Sequence, residues 1–246
     1  MDGTAAASQP ETKSELARLT GVVWEPGTTF PDIAARPRWW PPLAIVIVLS
    51  LVFMYSFSQH VGWDRFMRQQ METNPRMQQL DPAQREQAMT RGAQFAPIMG
   101  YVGAVVGFPV MTLIAAGAFL FVFRILLGAD LTFRQVFAVY CYALVPTILS
   151  SVISLAVLFL KDPDQYDLQN PAMTNIGAFL DPLNTPKWLH SLASSIDVFT
   201  IWVLILLATG LAAASRKISW GSSLSAVLGT WVVYVLAKAG WAAMFG

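Results

Sequence analysis

The sequence predicts an all-α fold: a polytopic transmembrane bundle of five helices, with an amphipathic N-terminal segment and a polar helical hairpin between helices 1 and 2. Three observations predict it. Of 246 residues, 55% are apolar and 13% charged, about half the charged share of a soluble domain. Mean hydropathy is +0.50, and the apolar residues come in long blocks that suit a bilayer better than an aqueous core. Within each block the run is continuously apolar and rich in Leu, Ala and Gly, unlike the alternating pattern of membrane-spanning strands. The net charge of +1 gives no case for a nucleic-acid partner.

Residues 1–42 read as a cytoplasmic N-terminal segment with interfacial helices, and 43–246 as the membrane domain. Ser14 stands before a short helical run in which Leu16, Leu19 and Val23 share a face, while Lys13 and Arg18 are placed to meet lipid headgroups. A second short helix follows, with Thr29 as its cap and Pro31 in its first turn. A protein-contact role for this segment is the alternative to surface anchoring.

The first span covers roughly Leu43 to Ser58, entered through Trp39, Trp40 and Pro41-Pro42 as at a membrane interface. The polar, proline-bearing stretch before it makes this span an uncleaved signal anchor. Residues 60–96 form the polar insertion. Trp63, Phe66, Met67 and Gln70 follow helical spacing up to Asn74-Pro75, and Asp81 caps a second helix with Pro82 at its first position. This hairpin is either a docking element or a solvated cap on the bundle.

The second span runs from about Pro97 to Phe123 and the third from about Phe133 to Leu160. Pro109 and Pro146 are expected to kink them. Gly103 and Gly107 form a small-residue stripe that suits helix packing, within the chain or across a homodimer. The loop 161–188 is punctuated by Asp-Pro, Asn-Pro and Thr-Pro steps, and reads as a folded surface loop or a re-entrant element. The fourth span runs from about Leu189 to Ala214 and the fifth from about Ser222 to Phe245.

Orientation follows from the basic residues near span ends. Lys13, Arg18, Arg36 and Arg38, then Arg124 and Arg134, then Arg216 and Lys217 fall on one side of a five-span threading. The 161–188 loop, with Asp162, Asp164, Asp167 and Asp181, falls on the other. The N-terminus is therefore expected in the cytoplasm of a bacterial inner membrane. The arginines of residues 60–96 run against this pattern. Thr132 before the third span and Ser219 before the fifth are similar hydroxyl caps 87 positions apart, which suggests that spans two–three and four–five are duplicates.

Asp197 and Lys238 are the two ionisable residues inside spans. A charge in lipid is costly, so a partner is expected. Both lie roughly 10 Å below the outer surface by helical rise, which makes them a candidate intramembrane ion pair or a shared polar site. His60 and His190 fall at outer span ends and are read as interfacial, with haem ligation the remote alternative. No cofactor or metal is expected, and Cys141 has no partner for an internal disulfide. No catalytic motif is present. Serines cluster at Ser150-Ser151, Ser194-Ser195 and Ser222-Ser223-Ser225, and a serine dyad would need His190 or Lys238 beside one of them.

The run Val23-Trp24-Glu25-Pro26-Gly27-Thr28-Thr29-Phe30-Pro31-Asp32-Ile33 leads into Arg36-Pro37-Arg38-Trp39-Trp40-Pro41-Pro42 and then five spans. Leu131-Thr132-Phe133-Arg134-Gln135-Val136-Phe137 leads a span containing Tyr142-Ala143-Leu144-Val145-Pro146, and Ile218-Ser219-Trp220 leads the last. Over roughly residues 20–245 this pattern resembles the bacterial branch of the Yip1-domain family. The resemblance implies a five-helix integral membrane domain without catalytic residues. Eukaryotic members are implicated in vesicle trafficking and bind Rab-type GTPases through the cytoplasmic N-terminal region. The insertion at 60–96 departs from a minimal member. The reading is a non-enzymatic scaffold or partner-binding protein, contacting partners through the N-terminal segment or residues 60–96. The alternatives are a small-solute or ion permease with a site between helices 4 and 5, and an intramembrane enzyme pairing a serine with Lys238.

Overall fold

The computed structural model describes residues 13–73, 79–166, 168, 170–181, 184–215 and 217–245. Asn74-Pro75, the expected end of the first hairpin helix, lies outside these residues, as do Arg76, Asp167 and Arg216. Among the described residues there is no strand; an isolated antiparallel bridge joins Asn175 to Asp197.

The chain opens with α1 (Glu15–Trp24) and α2 (Pro26–Ala35). Ser14 caps α1 by accepting from the Ala17 amide at 3.2 Å. Thr29 is not a cap. The helix already begins at Pro26, whose fixed φ suits a first turn. Thr29 is fully buried inside α2, its Oγ1 accepting from the Lys13 ammonium at 2.8 Å. Nor does Arg18 meet solvent or headgroups, since it is 2% exposed. The pair is docked on the bundle. Val22, Phe30 and Ile33 share one core cluster with residues of the membrane helices. Leu16 and Trp24 face outward.

Among the described residues, four helices are long and apolar enough to cross a membrane: α3 (Trp40–His60), α5 (Pro82–Leu126), α6 (Phe133–Leu160) and, last in the chain, α9 (Trp220–Phe245). Between α3 and α5 lies α4 (Trp63–Thr73). The second hairpin helix and the second span, expected as separate pieces, are one 45-residue helix. At 1.5 Å per residue it is about 67 Å long, over twice the hydrocarbon thickness. Asp81 caps it, accepting from the Gln84 amide at 2.8 Å.

Pro109 acts on α5 through a π-helical turn at Gly103–Gly107. Proline lacks an N–H and its ring crowds the carbonyl four residues back. The turn widens, and the Phe108 amide donates to Gly103 O. The same segment holds Gly103 and Gly107, and a Cβ at either would meet nothing within 4 Å. Close helix approach is found elsewhere, at Gly210, where a Cβ would fall 2.5 Å from Val139 Cγ1 and 2.7 Å from the Phe30 ring. In α6 the helix is interrupted at Leu144, two residues before Pro146. The carbonyl of Leu144 is taken up by the Thr147 amide at 2.8 Å and hydroxyl at 2.6 Å.

The expected fourth span is broken. It consists of α7 (Lys187–Ser195) and α8 (Val198–Ala214), separated by Ile196 and Asp197. By itself α8 has 17 residues, about 25 Å of helix, short of a full crossing.

The loops sort to two ends. Phe57, Val61, Leu158 and Tyr166 form a second core cluster with Trp63 and Phe66 packed on it, and Arg65 pairs with Asp164 at 3.1 Å. The start of α4 and the segment around Asp164 and Tyr166 therefore share one end. At the other end, Lys217 pairs with Asp130, and the Gln135 side chain donates to Ala34 O at 3.3 Å, joining both short loops and the N-terminal helices. Thr132 and Gln135 there form a reciprocal capping box.

Candidate functional site: a broken helix and its cavity

Asp197 sits in the extended backbone between α7 and α8 (φ −125°, ψ 141°). A short acceptor side chain directly before an apolar run is an N-cap signal. The carboxylate does cap, with Oδ1 accepting from the amides of Phe199 at 2.8 Å and Thr200 at 3.1 Å. Oδ2 accepts from the Thr174 hydroxyl.

The loop from Asn170 to Leu180 closes over the break. The Ile176 amide donates to Ile196 O at 3.2 Å and the Val198 amide to Thr174 O at 3.4 Å. Backbone groups freed by the break are thus satisfied by the loop. Gly177 allows this approach. A Cβ there would lie 2.8 Å from the backbone nitrogen of Ser194. Within the loop, the Asn175 amide donates to Asn170 Oδ1 at 2.8 Å, and Asn170 is 8% exposed.

Beneath the loop is a cavity of about 700 Å³ between α5, α6, α8 and α9. Its polar end is formed by Asn170, Thr174, Asn175, Ser194, Asp197 and Thr200. Its walls carry the rings of Phe108, Phe119, Tyr140, Phe199, Trp231 and Tyr234.

The two charges expected inside spans, Asp197 and Lys238, do not pair. Lys238 lies at the same end, but its ammonium donates to Ser195 Oγ at 3.3 Å, and no ion pair among the described residues joins it to Asp197. The helix break explains this. It turns the carboxylate onto the α8 amides and Thr174, three hydrogen-bond donors that outcompete a flexible, exposed lysine. The contact with Ser195 is the juxtaposition a Ser–Lys dyad needs. However, the Ser195 hydroxyl is committed to Ser191 O, to which it donates at 2.8 Å, and Lys238 is exposed on the surface of the bundle. His190 Nδ1 lies 3.4 Å from Ser194 Oγ, whereas His60 packs against Phe159 at 5.3 Å between ring centres. The histidines have separate partners, and no group of three or more metal-ligating side chains gathers among the described residues.

A second polar centre lies at the opposite end. Arg18 Nε donates to Asp32 Oδ2 at 2.7 Å, and its Nη1 donates to Glu15 at 3.4 Å and to the carbonyl of Arg36 at 3.2 Å. Asp32 also pairs with Arg36, and the Tyr142 hydroxyl of α6 donates to Glu15 at 2.5 Å. Burial pushes the Asp32 carboxyl up, but hydrogen bonds and charge from Arg18 and Arg36 outweigh it and hold it below the usual carboxylate range. Burial likewise disfavours the Arg18 charge, yet Asp32 and Glu15 leave its pKa raised. Sequence reasoning missed this centre, because helical spacing places Arg18 on a face but does not say what covers that face.

Comparison with known proteins agrees with the architecture. A family profile described as the Yip1 domain matches residues 20–242. The chain is 25% identical over 230 residues to "Membrane protein YknW" of Bacillus subtilis (strain 168), covering 92% of this chain and 91% of that protein. No solved structure matches it. Helices long and apolar enough to cross a bilayer and a match over nearly the whole chain lead to one conclusion: this is an integral, multi-pass membrane protein belonging to the Yip1-domain family.

Proposed function

We propose that the chain is a non-enzymatic scaffold of the bacterial cytoplasmic membrane, binding protein partners in membrane organisation or trafficking. It crosses the bilayer five times, α7 and α8 together making the fourth crossing, with its N-terminus in the cytoplasm. Arg124 and Arg134, at the helix ends that flank the first short loop, and Lys217, in the second, support this orientation, since the Lys217–Asp130 and Gln135–Ala34 contacts hold both loops near the N-terminal helices. Leu16 and Trp24, exposed on α1, suit a headgroup interface.

The observation that carries the scaffold reading is the hairpin of α4 and the first turns of α5. The apolar face of α4 is already occupied by the bundle, with Trp63 and Phe66 on Phe57. Residues such as Gln84, Gln87 and Arg91 point outward from a helix continuous with a span, so a partner docking there would meet a rigid polar face. A photo-crosslinker at Gln87 in native membranes should give adducts of discrete mass, which Arg91→Glu weakens. Crosslinking to nothing but lipid would refute the docking face. Cysteine labelling should find residue 87 and the C-terminus on the side opposite the N-terminus.

The cavity at Asp197 favours a second reading, a small-solute permease. Its test is flux in reconstituted vesicles that Asp197→Asn abolishes; no flux across a broad solute panel would remove it.

A further inference from the structure

We propose that the cavity beside Asp197 binds a hydrophobic organic cation, with a positive nitrogen or phosphorus centre at the carboxylate and its hydrocarbon part against the aromatic wall. The inference concerns binding alone, and does not depend on the docking face or on passage across the membrane.

Charge is the first observation. Among the described residues lining the cavity, Asp197 is the one with a formal charge, and no lysine, arginine or histidine faces it. Its hydrogen bonds come from two backbone amides and a hydroxyl, all neutral. A carboxylate offers about four acceptor positions, so one remains. Capping does not account for the charge, because asparagine or serine caps a helix about as well. An acid in a bilayer-spanning bundle is costly, and a cationic ligand would offset that cost.

Size and surface are the second. About 700 Å³ lies within the range of small-molecule sites and far exceeds a bare metal ion, which would also need several more oxygen ligands than one carboxylate supplies. Aromatic faces attract cations, more strongly where water is excluded, and Tyr140, Trp231 and Tyr234 join Phe108, Phe119 and Phe199 around this space. An anion would meet uncompensated negative charge, and a small hydrated cation would meet mostly hydrocarbon.

The same chemistry has two sources, an ammonium-bearing lipid headgroup or a free amphiphilic cation. The test is calorimetric titration of the full-length protein with tetraphenylphosphonium in a nonionic detergent. Saturable binding near one per chain is expected, displaced by tetrabutylammonium but not by tetraphenylborate. Asp197→Asn, which keeps the cap, should weaken it at least tenfold. Ala115→Trp, which fills the cavity and leaves the carboxylate in place, should abolish it. Monodisperse elution and an unchanged melting temperature are required of both variants. Displacement by added phosphatidylethanolamine, but not phosphatidylglycerol, supports the site with a lipid amine as its source. Binding indifferent to both lipids supports it with a free cation. Absence of saturable binding, equal binding by the Asn variant, or equal displacement by tetraphenylborate overturns the proposal.

Discussion

Replacing Arg18 by methionine should loosen the N-terminal helices from the bundle. Arg18 is 2% exposed and makes its shortest bond, 2.7 Å, to Asp32. Removing one member of a buried ion pair typically costs about 3–5 kcal/mol, mostly because the other is left buried and unpaired. Here Asp32 keeps Arg36, and Glu15 keeps Arg38 at 3.3 Å and the Tyr142 hydroxyl. The expected loss is therefore smaller, about 2–3 kcal/mol. Methionine preserves most of the packing volume, so little of this comes from a cavity. At about 1.4 kcal/mol per factor of ten, the opening equilibrium of α1 and α2 should rise roughly fiftyfold. Hydrogen–deuterium exchange of peptides within residues 15–36 in a membrane mimetic reads this directly. Exchange within threefold of the parent protein would show that the buried charges do not hold the segment down.

The pH dependence of the same docking has a definite sign. Asp32 titrates lower when folded than when free, so its contribution is present above the ordinary carboxylate value near 4 and lost as pH falls through the lowered one. Exchange corrected for intrinsic rates should be flat from pH 8 to 5 and rise below about pH 4; a rise between pH 7 and 5 would point to a different group. Gly210→Ala should destabilise by about 1–3 kcal/mol through overpacking, since Val139 and Phe30 are fully buried and have nowhere to move. Gly103→Ala, with open space around it, should be neutral or stabilising in the same thermal melts. Asp197→Ala should lower stability by about 0.5–2 kcal/mol through loss of the α8 cap, whereas Asp197→Asn should retain it. Equal melting temperatures for the two would mean the cap contributes nothing.

Class and membrane habit were legible in the sequence because both follow from composition and contiguity. A continuous apolar run of the right length must satisfy its backbone internally and lie in lipid, whatever surrounds it. Capping signals other than Thr29 held for the same reason. Ser14, Asp81 and Thr132 cap their helices through contacts three residues away, a distance sequence spacing controls. Other features depended on elements far apart in the chain. Leu189 to Ala214 looked like one span, and the break at Asp197 stands because residues 174–176, more than twenty positions earlier, supply the bonds that a continuous helix would have made. Arg18 looked like a headgroup ligand until Asp32, Arg36 and Tyr142 enclosed it. The Gly103–Gly107 stripe had the composition of a packing face, but where helices actually touch is decided by which neighbours arrive, and they arrive at Gly210. Covalent order alone determined which segments enter the bilayer. Long-range contact decided which charges are buried, which helix is broken, and where a cavity remains.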